Sequence, residues 1–409
     1  MDQATSSSGR SDHEWPEVFA NGHQFNHELM SQFGFDVDLC LEQMRSVAEC
    51  KVDASTATVR GNIGPVHDVS EIRYDKSANE TAAYDLGVRA LAQGEVAALV
   101  LNGGLATRFG GVVKGAVNVF DNLSFLGAKI ADVTRAQDLY CGQIPLVVMN
   151  SFATRRDTEQ HLQSNGYFNM SQDNLDCFDQ SISVRLTEQG DPFLGKDGSA
   201  RYYAPGHGEF FQRIHASGTF AKLLRRGVRY IAFSNIDNLG ASLDPLLIGC
   251  HVRSGRDMTV EVIRKTRNAF GEWDVGGSPV AVGNRVQIVE GFRLPPALPP
   301  GALPDFQTNN MYFSLSALAE PPTVPRYLVT KEVEGRPFLG FEAVTCEATG
   351  VLRPDGEPWL SLNIVRVPRR GPRGRFFPVK SREDLAAVRD EIRARVHEGW
   401  TLRVQDTRG

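Results

Sequence analysis

The chain has 409 residues and a mass of 45.0 kDa, with 44 basic and 49 acidic residues and a formal net charge of −5. This length predicts two or three domains, or one large domain with an extension, and a core that needs no disulfide or metal staple. The slightly acidic charge argues against nucleic acid as the main partner. There is no apolar run of ~20 residues and no signal peptide, and the six cysteines are scattered. We therefore expect a cytoplasmic protein with reduced thiols and no membrane partner.

The predicted elements begin with a disordered tail over residues 1–24 and a helical segment over residues 25–95 that packs on the core. Buried strands and helices then alternate, with strands predicted at 96–101, 144–149 and 228–233 and helices at 125–139, 151–162 and 210–226. This alternation predicts an α/β core with a largely parallel sheet over residues 96–325. A proline-rich break leaves residues 326–409 as a C-terminal part that we expect to complete the active site.

A glycine-rich loop over residues 101–111 leaves the carboxyl end of the first predicted strand. Gly103 and Gly104 carry no Cβ, so backbone N–H groups there can approach a phosphate or a base closely. Arg108 and Lys114 add positive charge beyond the loop. The glycine spacing matches neither the dinucleotide fingerprint nor the Walker loop. The loop therefore indicates a phosphate-binding site, the alternative being a tight turn beside a solvated basic pair.

Two further loops carry candidate ligands. Gly206 and Gly208 flank His207 at the head of a predicted helix, which is typical of a loop that closes over a ligand or of a simple turn with a surface histidine. Asn235 and Asp237 alternate just after the strand at 228–233, so their side chains point the same way. An amide beside a carboxylate suits a sugar hydroxyl, a Mg²⁺ ion or both, whereas the alternative is an Asx-rich turn.

The last two motifs lie in the second half of the chain. Asn309 and Asn310 interrupt a strand-like run, and they are either ligand contacts or turn formers because buried amides are costly without partners. Residues 366–382 are rich in arginine and include Lys380. This segment is either a solvated basic face or a cationic arm that reaches a polyphosphate.

In their order and spacing, these five motifs, from Leu101 to Lys380, resemble the eukaryotic-type UTP–glucose-1-phosphate uridylyltransferases, also called UDP-glucose pyrophosphorylases. The loop at 205–208 and the run at 234–240 are the most specific parts of this resemblance. The resemblance implies an α/β fold with a Rossmann-like nucleotide-sugar transferase (GT-A-like) core, whose mostly parallel mixed sheet is flanked by helices. It also implies the reaction of UTP with α-D-glucose 1-phosphate to give UDP-glucose and pyrophosphate.

The same resemblance implies roles for individual residues. The implied UTP-binding residues are Leu101, Asn102, Gly103, Gly104, Lys114, Gln180, Gly206 and Lys380. The implied sugar-phosphate-binding residues are His207, Asn235, Ile236, Asp237 and Asn309. The implied catalytic residues are Lys380, Lys114 and Arg108. Asp237 is also the implied ligand of Mg²⁺, the only cofactor expected.

The sequence departs from the family pattern at a few positions. Val113 stands where the family usually has Pro, and Ala106-Thr107 stands where the loop often reads Gly-Thr. Only 29 residues follow Lys380, so we expect neither the C-terminal β-helical domain of the eukaryotic members nor the oligomer that it assembles.

Three alternative functions stay open on the sequence. The same reaction could use N-acetylglucosamine 1-phosphate or a broad set of sugar 1-phosphates, although His207 favours glucose. A non-catalytic nucleotide-sugar sensor is a second alternative, and the presence of both Lys114 and Lys380 argues against it. A nicotinamide-dependent oxidoreductase is the third, and the missing dinucleotide fingerprint argues against that.

Overall fold

The computed structural model describes residues 15–106, 109–267, 271–299 and 301–397. The chain forms two compact units, each made from segments that are separate in sequence. The smaller unit comprises Met1–Lys51, Ile182–Tyr203 and Thr330–Gly340. The larger unit comprises Val52–Ser181, Ala204–Val329 and Phe341–Gly409.

The helices and strands of the described residues are as follows, in chain order. The α-helices are α1 (His27–Gln32), α2 (Val37–Ala48), α3 (Ala78–Ala92), α4 (Phe125–Tyr140), α5 (Arg155–Ser164), α6 (Phe210–Ala216), α7 (Thr219–Arg225), α8 (Pro245–Ser254) and α9 (Arg382–His397). The strands are β1 (Ile63–Pro65), β2 (Ser70–Glu71), β3 (Val96–Leu101), β4 (Leu105–Ala106), β5 (Val112–Val113), β6 (Asn118–Phe120), β7 (Leu123–Ser124), β8 (Leu146–Asn150), β9 (Leu175–Asp179), β10 (Ser183–Val184), β11 (Tyr202–Tyr203), β12 (Tyr230–Asn235), β13 (Met258–Arg264), β14 (Ser278–Val282), β15 (Arg285–Val289), β16 (Asp305–Ser314), β17 (Arg326–Val333), β18 (Arg336–Ala343) and β19 (Leu362–Arg366).

The smaller unit is built on α1 and α2, which begin at the N-cap residues Asn26 and Asp36. Both caps accept a backbone N–H through a side-chain oxygen, which satisfies a donor that a helix start leaves free. Residues 15–24, which the sequence assigns to the tail, include a 3₁₀ turn at Glu17–Phe19. Phe19 is fully buried in the aromatic core of this unit.

The larger unit is organised around an eight-stranded sheet with the order β2, β19, β13, β16, β12, β3, β8, β9. β16 is antiparallel to both of its neighbours, and every other neighbouring pair is parallel. β3 and β8 are buried along their whole length because the sheet is covered on both faces, which explains their continuous apolar sequences. The prediction of a mostly parallel mixed sheet flanked by helices is confirmed.

The helix predicted over residues 210–226 is two helices, and this prediction was therefore wrong in detail. Gly218 separates α6 from α7 and adopts a left-handed backbone with φ of +76°. Only glycine takes up that conformation readily, so the chain bends there despite an apolar pattern that runs through the break. Among the described residues, no helix has the length and apolar character needed to cross a bilayer.

Candidate active site

The candidate residues meet at one edge of the central sheet. β12, β3, β8 and β9 are parallel neighbours, so their carboxyl ends lie side by side. β16 runs the other way, and its first half therefore reaches the same edge, where Gln307 pairs with Val262. Open α/β sheets bind ligands beyond the carboxyl ends of their strands, so this edge is the candidate active site.

Gln180 lies directly over Gly103. A Cβ added to Gly103 would come within 2.3 Å of Gln180 Nε2, so a larger residue there would push this amide out of its place. Two hydrogen bonds fix the arrangement: Gln180 N–H donates to Asn150 O at 2.9 Å, and Ser151 Oγ donates to Gly103 O at 2.8 Å. Gly104 next to them is exposed and has open space around it. The structure thus brings together the residues that were predicted to hold the nucleotide base.

Three predicted ligand residues have side chains that are buried in the protein. Asn102 is fully buried, where its Nδ2 donates to Asn150 Oδ1 at 2.9 Å and its Oδ1 accepts from Gly115 N–H at 3.2 Å. Leu101 and Ile236 are also buried, and Ile236 N–H donates to Leu101 O at 3.1 Å. These side chains hold the loops in place. The three residues can therefore contact a ligand only through their backbone atoms.

Lys114 and Asp237 form an ion pair in the candidate site. Lys114 Nζ lies 2.6 Å from Asp237 Oδ2, and the two side chains are only 14% and 17% exposed. Partial burial makes such a pair stronger than one on the open surface. The structure thus places the predicted phosphate-binding cation beside the predicted metal-binding carboxylate. Arg108, the third predicted cation, lies outside the described residues.

The loop around His207 packs against the start of a short 3₁₀ helix at Thr345–Gly350. Gly206 has a φ of +104°, and a Cβ there would come within 2.4 Å of Ala343 O. Thr345 holds His207 Nδ1 with two groups, because its backbone N–H lies 3.2 Å and its hydroxyl 2.8 Å from that nitrogen. Burial lowers the pKa of His207 to about 4, so the ring is neutral at physiological pH. His207 is therefore a neutral imidazole whose Nδ1 side is fixed by Thr345.

Glu209 joins this loop to the segment that carries Gln180. Its carboxylate is almost fully buried, accepts Ser181 N–H at 2.7 Å and also binds the Ser181 hydroxyl. Arg326 Nη2 lies 2.8 Å from the same carboxylate and balances its charge. Glu209 therefore links the segment of Gln180, the predicted base-binding residue, to the loop of His207, the predicted phosphate-binding residue.

Asn235 and Asn309 meet across the edge of the sheet. Asn309 Nδ2 donates to Asn235 Oδ1 at 2.7 Å. Asn309 lies in a bulge where the register of β16 against β13 shifts, and it has a left-handed φ of +58°. Its Oδ1 is buried, without a hydrogen-bond partner among the described residues. Bulges, strained backbones and orphaned polar atoms are features that cluster at functional sites.

Asn238 attaches the segment before Lys380 to the site. Its Oδ1 accepts Phe377 N–H at 2.9 Å, and its Nδ2 donates to Arg375 O at 3.1 Å. Val379 N–H donates to Asp237 O at 3.1 Å, so the chain runs alongside the Asp237 loop as it reaches Lys380. Lys380 is exposed, and its Nζ has no partner within the described ranges. Lys380 and Asp237 thus belong to one hydrogen-bonded loop cluster.

The arginine-rich segment around Lys380 is largely structural. Neither interpretation of it from the sequence fits Arg375 or Arg366. Arg375 is buried and pairs with Glu261 at 2.6 Å, where the two side chains are 3% and 0% exposed. Arg366 pairs with the buried Asp305 at 2.7 Å. Because both guanidinium groups are bound by carboxylates, they form neither a solvated face nor an arm that reaches a phosphate.

Lys129 supports the Asp237 loop from below. This residue is buried, and its Nζ donates to Ser234 Oγ at 3.1 Å, Asn238 O at 2.9 Å and Ala241 O at 2.8 Å. Burial lowers the pKa of Lys129 to about 8. All three ammonium donors are used, so this lysine braces the loop and has no proton left to offer a ligand.

A second line of polar groups, which could not be predicted from the sequence, leads to Asn309. Gln307 Oε1 accepts Asn309 N–H at 3.2 Å, and Gln307 Nε2 donates to Glu290 Oε1 at 2.7 Å. Glu290 is half-buried just after β15, and Cys346 Sγ donates to the same oxygen at 3.2 Å. The one signal in the sequence was an isolated glutamate at the end of an apolar run, which is too common to single out.

Asp237 by itself offers too few ligands for a dedicated metal site. Among the described residues, no group of three His, Cys, Asp or Glu side chains could hold a metal. Mg²⁺ is commonly bound by one or two carboxylates together with substrate phosphates and water. One carboxylate beside a phosphate-binding lysine fits that mode, and a dedicated all-protein metal site does not.

The mixed sheet, the glycine-rich loop after β3 and the polar groups at the carboxyl edge define a Rossmann-like core of the nucleotide-sugar transferase class. The chain matches the family model of the UTP–glucose-1-phosphate uridylyltransferases over residues 41–408, and it belongs to this family. The enzymes of that name from Musa acuminata and Solanum tuberosum are each 30% identical to it. The two alignments cover 76% and 75% of this chain but 65% and 63% of those relatives, so the chain spans less than two thirds of their length.

Solved structures share the fold. A UDP-glucose phosphorylase from Trypanosoma brucei superimposes with a TM-score of 0.70 at 22% identity, covering 88% of this chain and 77% of that one. A UDP-N-acetylglucosamine pyrophosphorylase from the same organism gives a TM-score of 0.70 at 18% identity, covering 90% and 78%. A Leishmania major UDP-glucose pyrophosphorylase variant in complex with UDP-glucose gives 0.67 at 21% identity, covering 88% and 77%.

Proposed function

We propose that this protein converts UTP and α-D-glucose 1-phosphate to UDP-glucose and pyrophosphate. The observation that carries the proposal is the convergence, at one sheet edge, of the Gln180–Gly103 pair, the Lys114–Asp237 pair and the Asn235–Asn309 pair. The reaction needs three kinds of group: an amide that binds the base, a cation that binds phosphates, and amides that bind sugar hydroxyls. The three pairs supply them in that order.

The reaction is an in-line displacement at the α-phosphorus of UTP. An oxygen of the sugar phosphate attacks, the bond to the β-phosphate oxygen breaks, and pyrophosphate leaves. The attacking phosphate is already ionised near pH 7, so no general base is required. Catalysis then consists of bringing two anions together and stabilising the charge that develops on the leaving group. Lys114 and Lys380 are the described cations suited to that role, with Arg108 as a further candidate from the sequence.

On the nucleotide side, we assign the uracil edge to Gln180 and close backbone contacts to Gly103, Gly104 and Gly206. An amide presents both a donor and an acceptor, which matches the adjacent N–H and C=O groups of uracil. Support comes from the rigid mounting of the Gln180 segment through Ser181 and Glu209. A mobile amide would discriminate poorly between bases.

On the sugar side, we assign the sugar phosphate to His207 and the hydroxyls to Asn235, Asn309 and Glu290. In the tautomer that carries its proton on Nε2, the neutral His207 ring donates to a phosphate oxygen. Asn309 Oδ1 is a buried acceptor whose missing partner a sugar hydroxyl would supply. Glu290 joins this set through Gln307, which bonds both residues.

We further propose that Asp237 holds Mg²⁺ jointly with the phosphates of UTP. When bound, the ion would neutralise phosphate charge and orient the groups that react. Lys114 would provide a cation for phosphate oxygens beside it. The six cysteines are all unpaired in the structure, which supports a cytoplasmic location for the enzyme.

The second candidate function is the same reaction with N-acetylglucosamine 1-phosphate. The TM-scores to a UDP-glucose and a UDP-N-acetylglucosamine enzyme are equal and show a shared fold alone, whereas the family model and the curated relatives are named for glucose 1-phosphate. Fold similarity cannot distinguish two sugars that differ at one substituent. The polar groups around Asn309 would therefore determine which sugar phosphate is used.

The test is pyrophosphate release by the purified protein with UTP and Mg²⁺ against a panel of sugar 1-phosphates. We expect release with glucose 1-phosphate and at least tenfold less with the other sugars. Preference for N-acetylglucosamine 1-phosphate would replace the first proposal by the second. Binding of UTP without release for any sugar would favour a nucleotide-sugar sensor.

A further inference from the structure

We propose that Glu347, paired with Arg293, is a positioning residue that orients Glu290 toward the sugar. This inference rests on the proposed function, because it takes Glu290 as a group that contacts a sugar hydroxyl. It adds a second layer of residues that sets how well the site binds the sugar phosphate.

Glu347 holds the backbone of Glu290 directly. Its side chain is 1% exposed, and its Oε1 accepts Glu290 N–H at 2.9 Å. The other carboxylate oxygen contacts Arg293 Nη1. Arg293 is fixed in turn, since its Nε donates to Ala57 O at 2.9 Å and its guanidinium lies 4.2 Å from the centre of the Tyr327 ring. The turn at residues 290–293 is thus clamped at both ends by one buried carboxylate.

The 3₁₀ helix that carries Glu347 also reaches the two groups proposed to bind the sugar phosphate. Its first residue, Thr345, bonds His207, and its second, Cys346, donates to the Glu290 carboxylate. Glu290 Oε2 has no partner among the described residues, so it is available to a sugar hydroxyl. A shift of this short helix would therefore move the donor for the phosphate and the acceptor for the hydroxyl together.

The charge of Glu347 makes this positioning testable through pH. The groups that face its carboxyl are Arg293, Glu290, Cys346 and Tyr327. Burial raises the pKa of Glu347 to about 7, although Arg293 pulls it in the opposite direction. Above that pH the carboxylate is charged and grips Arg293. Below it the carboxyl is protonated and the clamp on residues 290–293 weakens.

The experiment compares E347Q with wild type and with E357Q, which changes an exposed glutamate of the same segment. kcat and the KM values for glucose 1-phosphate and UTP are measured between pH 6 and pH 9. We expect E347Q to raise KM for glucose 1-phosphate about tenfold, as the loss of one charged hydrogen bond implies, with kcat and KM for UTP within about twofold. We also expect the wild-type rise of kcat/KM through pH 7 to flatten in E347Q, because ionisation of the substrate is common to all variants.

A second variant covers the case in which E347Q does not fold. R293M removes the opposing charge, so the pKa of Glu347 should rise and the acidic limb of kcat/KM should move to higher pH, whereas R293K should keep it near its wild-type position. Identical KM values and pH profiles for E347Q, E357Q and wild type would overturn the inference. Calorimetric binding of UDP-glucose distinguishes failure of the proposed reaction from failure of the inference about Glu347. If wild type binds UDP-glucose but releases no pyrophosphate, only the proposed reaction is overturned. Weaker binding of UDP-glucose by E347Q then still supports the inference. Wild type that does not bind UDP-glucose overturns both.

Discussion

Two lysines stand in different states at the edge of the sheet. Lys114 is partly buried and held by Asp237, whereas Lys380 is exposed and its Nζ has no partner among the described residues. A cation that is already paired must exchange one anion for another when the ligand arrives. An unpaired cation gives up no existing ion pair when it binds a phosphate. Substitution of Lys380 should therefore show most directly how much a cation stabilises the charge of the reacting phosphates.

We expect K380M to lower kcat by about 10²–10³-fold, comparable to the loss of one preorganised donor to a developing negative charge. The matched control is R382M, two residues on, which removes an exposed cation at the first residue of α9. Steady-state pyrophosphate release checks both variants. Equal kcat values for K380M and R382M would remove Lys380 from the catalytic residues.

A second expectation at this scale concerns Asn309, where backbone strain and ligand binding can be separated. N309A loses the amide and places an alanine Cβ in the left-handed region, which costs about 1 kcal/mol, whereas N309G loses the whole side chain and adopts that backbone without strain. We expect both variants to raise KM for the sugar phosphate about tenfold and only N309A to lower the melting temperature. If N309G bound the sugar phosphate normally, the amide would be structural.

What could be predicted at the residue scale follows from local chemistry. Gly103, Asn235 and Asp237 could be identified because each lies at or just after the carboxyl end of a strand, which is where the site lies. The pairing of Asn309 with Asn235 could not, because it depends on a bulge and on the reversed direction of β16. Arg375 was misread as a surface charge because its partner, Glu261, lies 114 positions earlier in the chain.

At the scale of elements, the loop at residues 205–209 depends on close contact between backbones. A Cβ on Gly206 would meet Ala343 O at 2.4 Å, and one on Gly208 would meet Val344 N at 2.7 Å. The two glycines therefore allow the loop to lie flat against the strand end at residues 343–344. That contact is what brings His207 within reach of Thr345.

We expect G206A to displace this loop, lowering the melting temperature and reducing kcat/KM for the sugar phosphate by tenfold or more, about 1.4 kcal/mol. G218A is the control, because Gly218 has a similar positive φ but no atom within 4 Å of its would-be Cβ. Its strain alone should cost about 1 kcal/mol of stability without changing the kinetics. Differential scanning calorimetry and steady-state rates distinguish the two outcomes, and wild-type kinetics in G206A would contradict the role of the contact.

Some of these elements could be predicted from the sequence and others could not. Strands such as β3 and β8 could be predicted because burial on both faces gives them unbroken apolar sequences. The break between α6 and α7 was missed because the apolar positions keep a helical spacing across Gly218. Glu290 was missed because β14 and β15 form a separate small sheet with β1, and nothing in the local sequence indicates which part of the site that sheet will approach.

At the scale of the whole molecule, a buried polar network joins the late part of the chain to the middle of the sheet. Arg375 binds Glu261 on β13, Tyr312 OH donates to the same carboxylate at 2.8 Å, and Asn310 Nδ2 does so at 3.1 Å. Every charge in this network is compensated, so it is tolerated in the interior. Removal of one partner would leave a buried charge with no counterion.

We therefore expect R375M to lower the free energy of unfolding by about 3–5 kcal/mol, the usual cost of breaking a buried ion pair from one side. R370M, which removes an exposed arginine stacked over Phe377, should cost less than about 1 kcal/mol. Urea unfolding at pH 7 measures both values. A small effect of R375M would show that water or another cation reaches Glu261.

The strand order of the central sheet has a consequence for how the protein is made. Among the described residues, β2, at residues 70–71, lies at the edge of the sheet and pairs with β19, at residues 362–366, so roughly 290 residues separate an early strand from its partner. At about 5–20 residues per second, a ribosome needs ~15–60 s to synthesise that interval. The loop cluster around Asp237 is also incomplete until residues 375–379 emerge. We therefore expect the sheet edge at β2 and the loop cluster around Asp237 to be completed only after residues 362–379 have been synthesised.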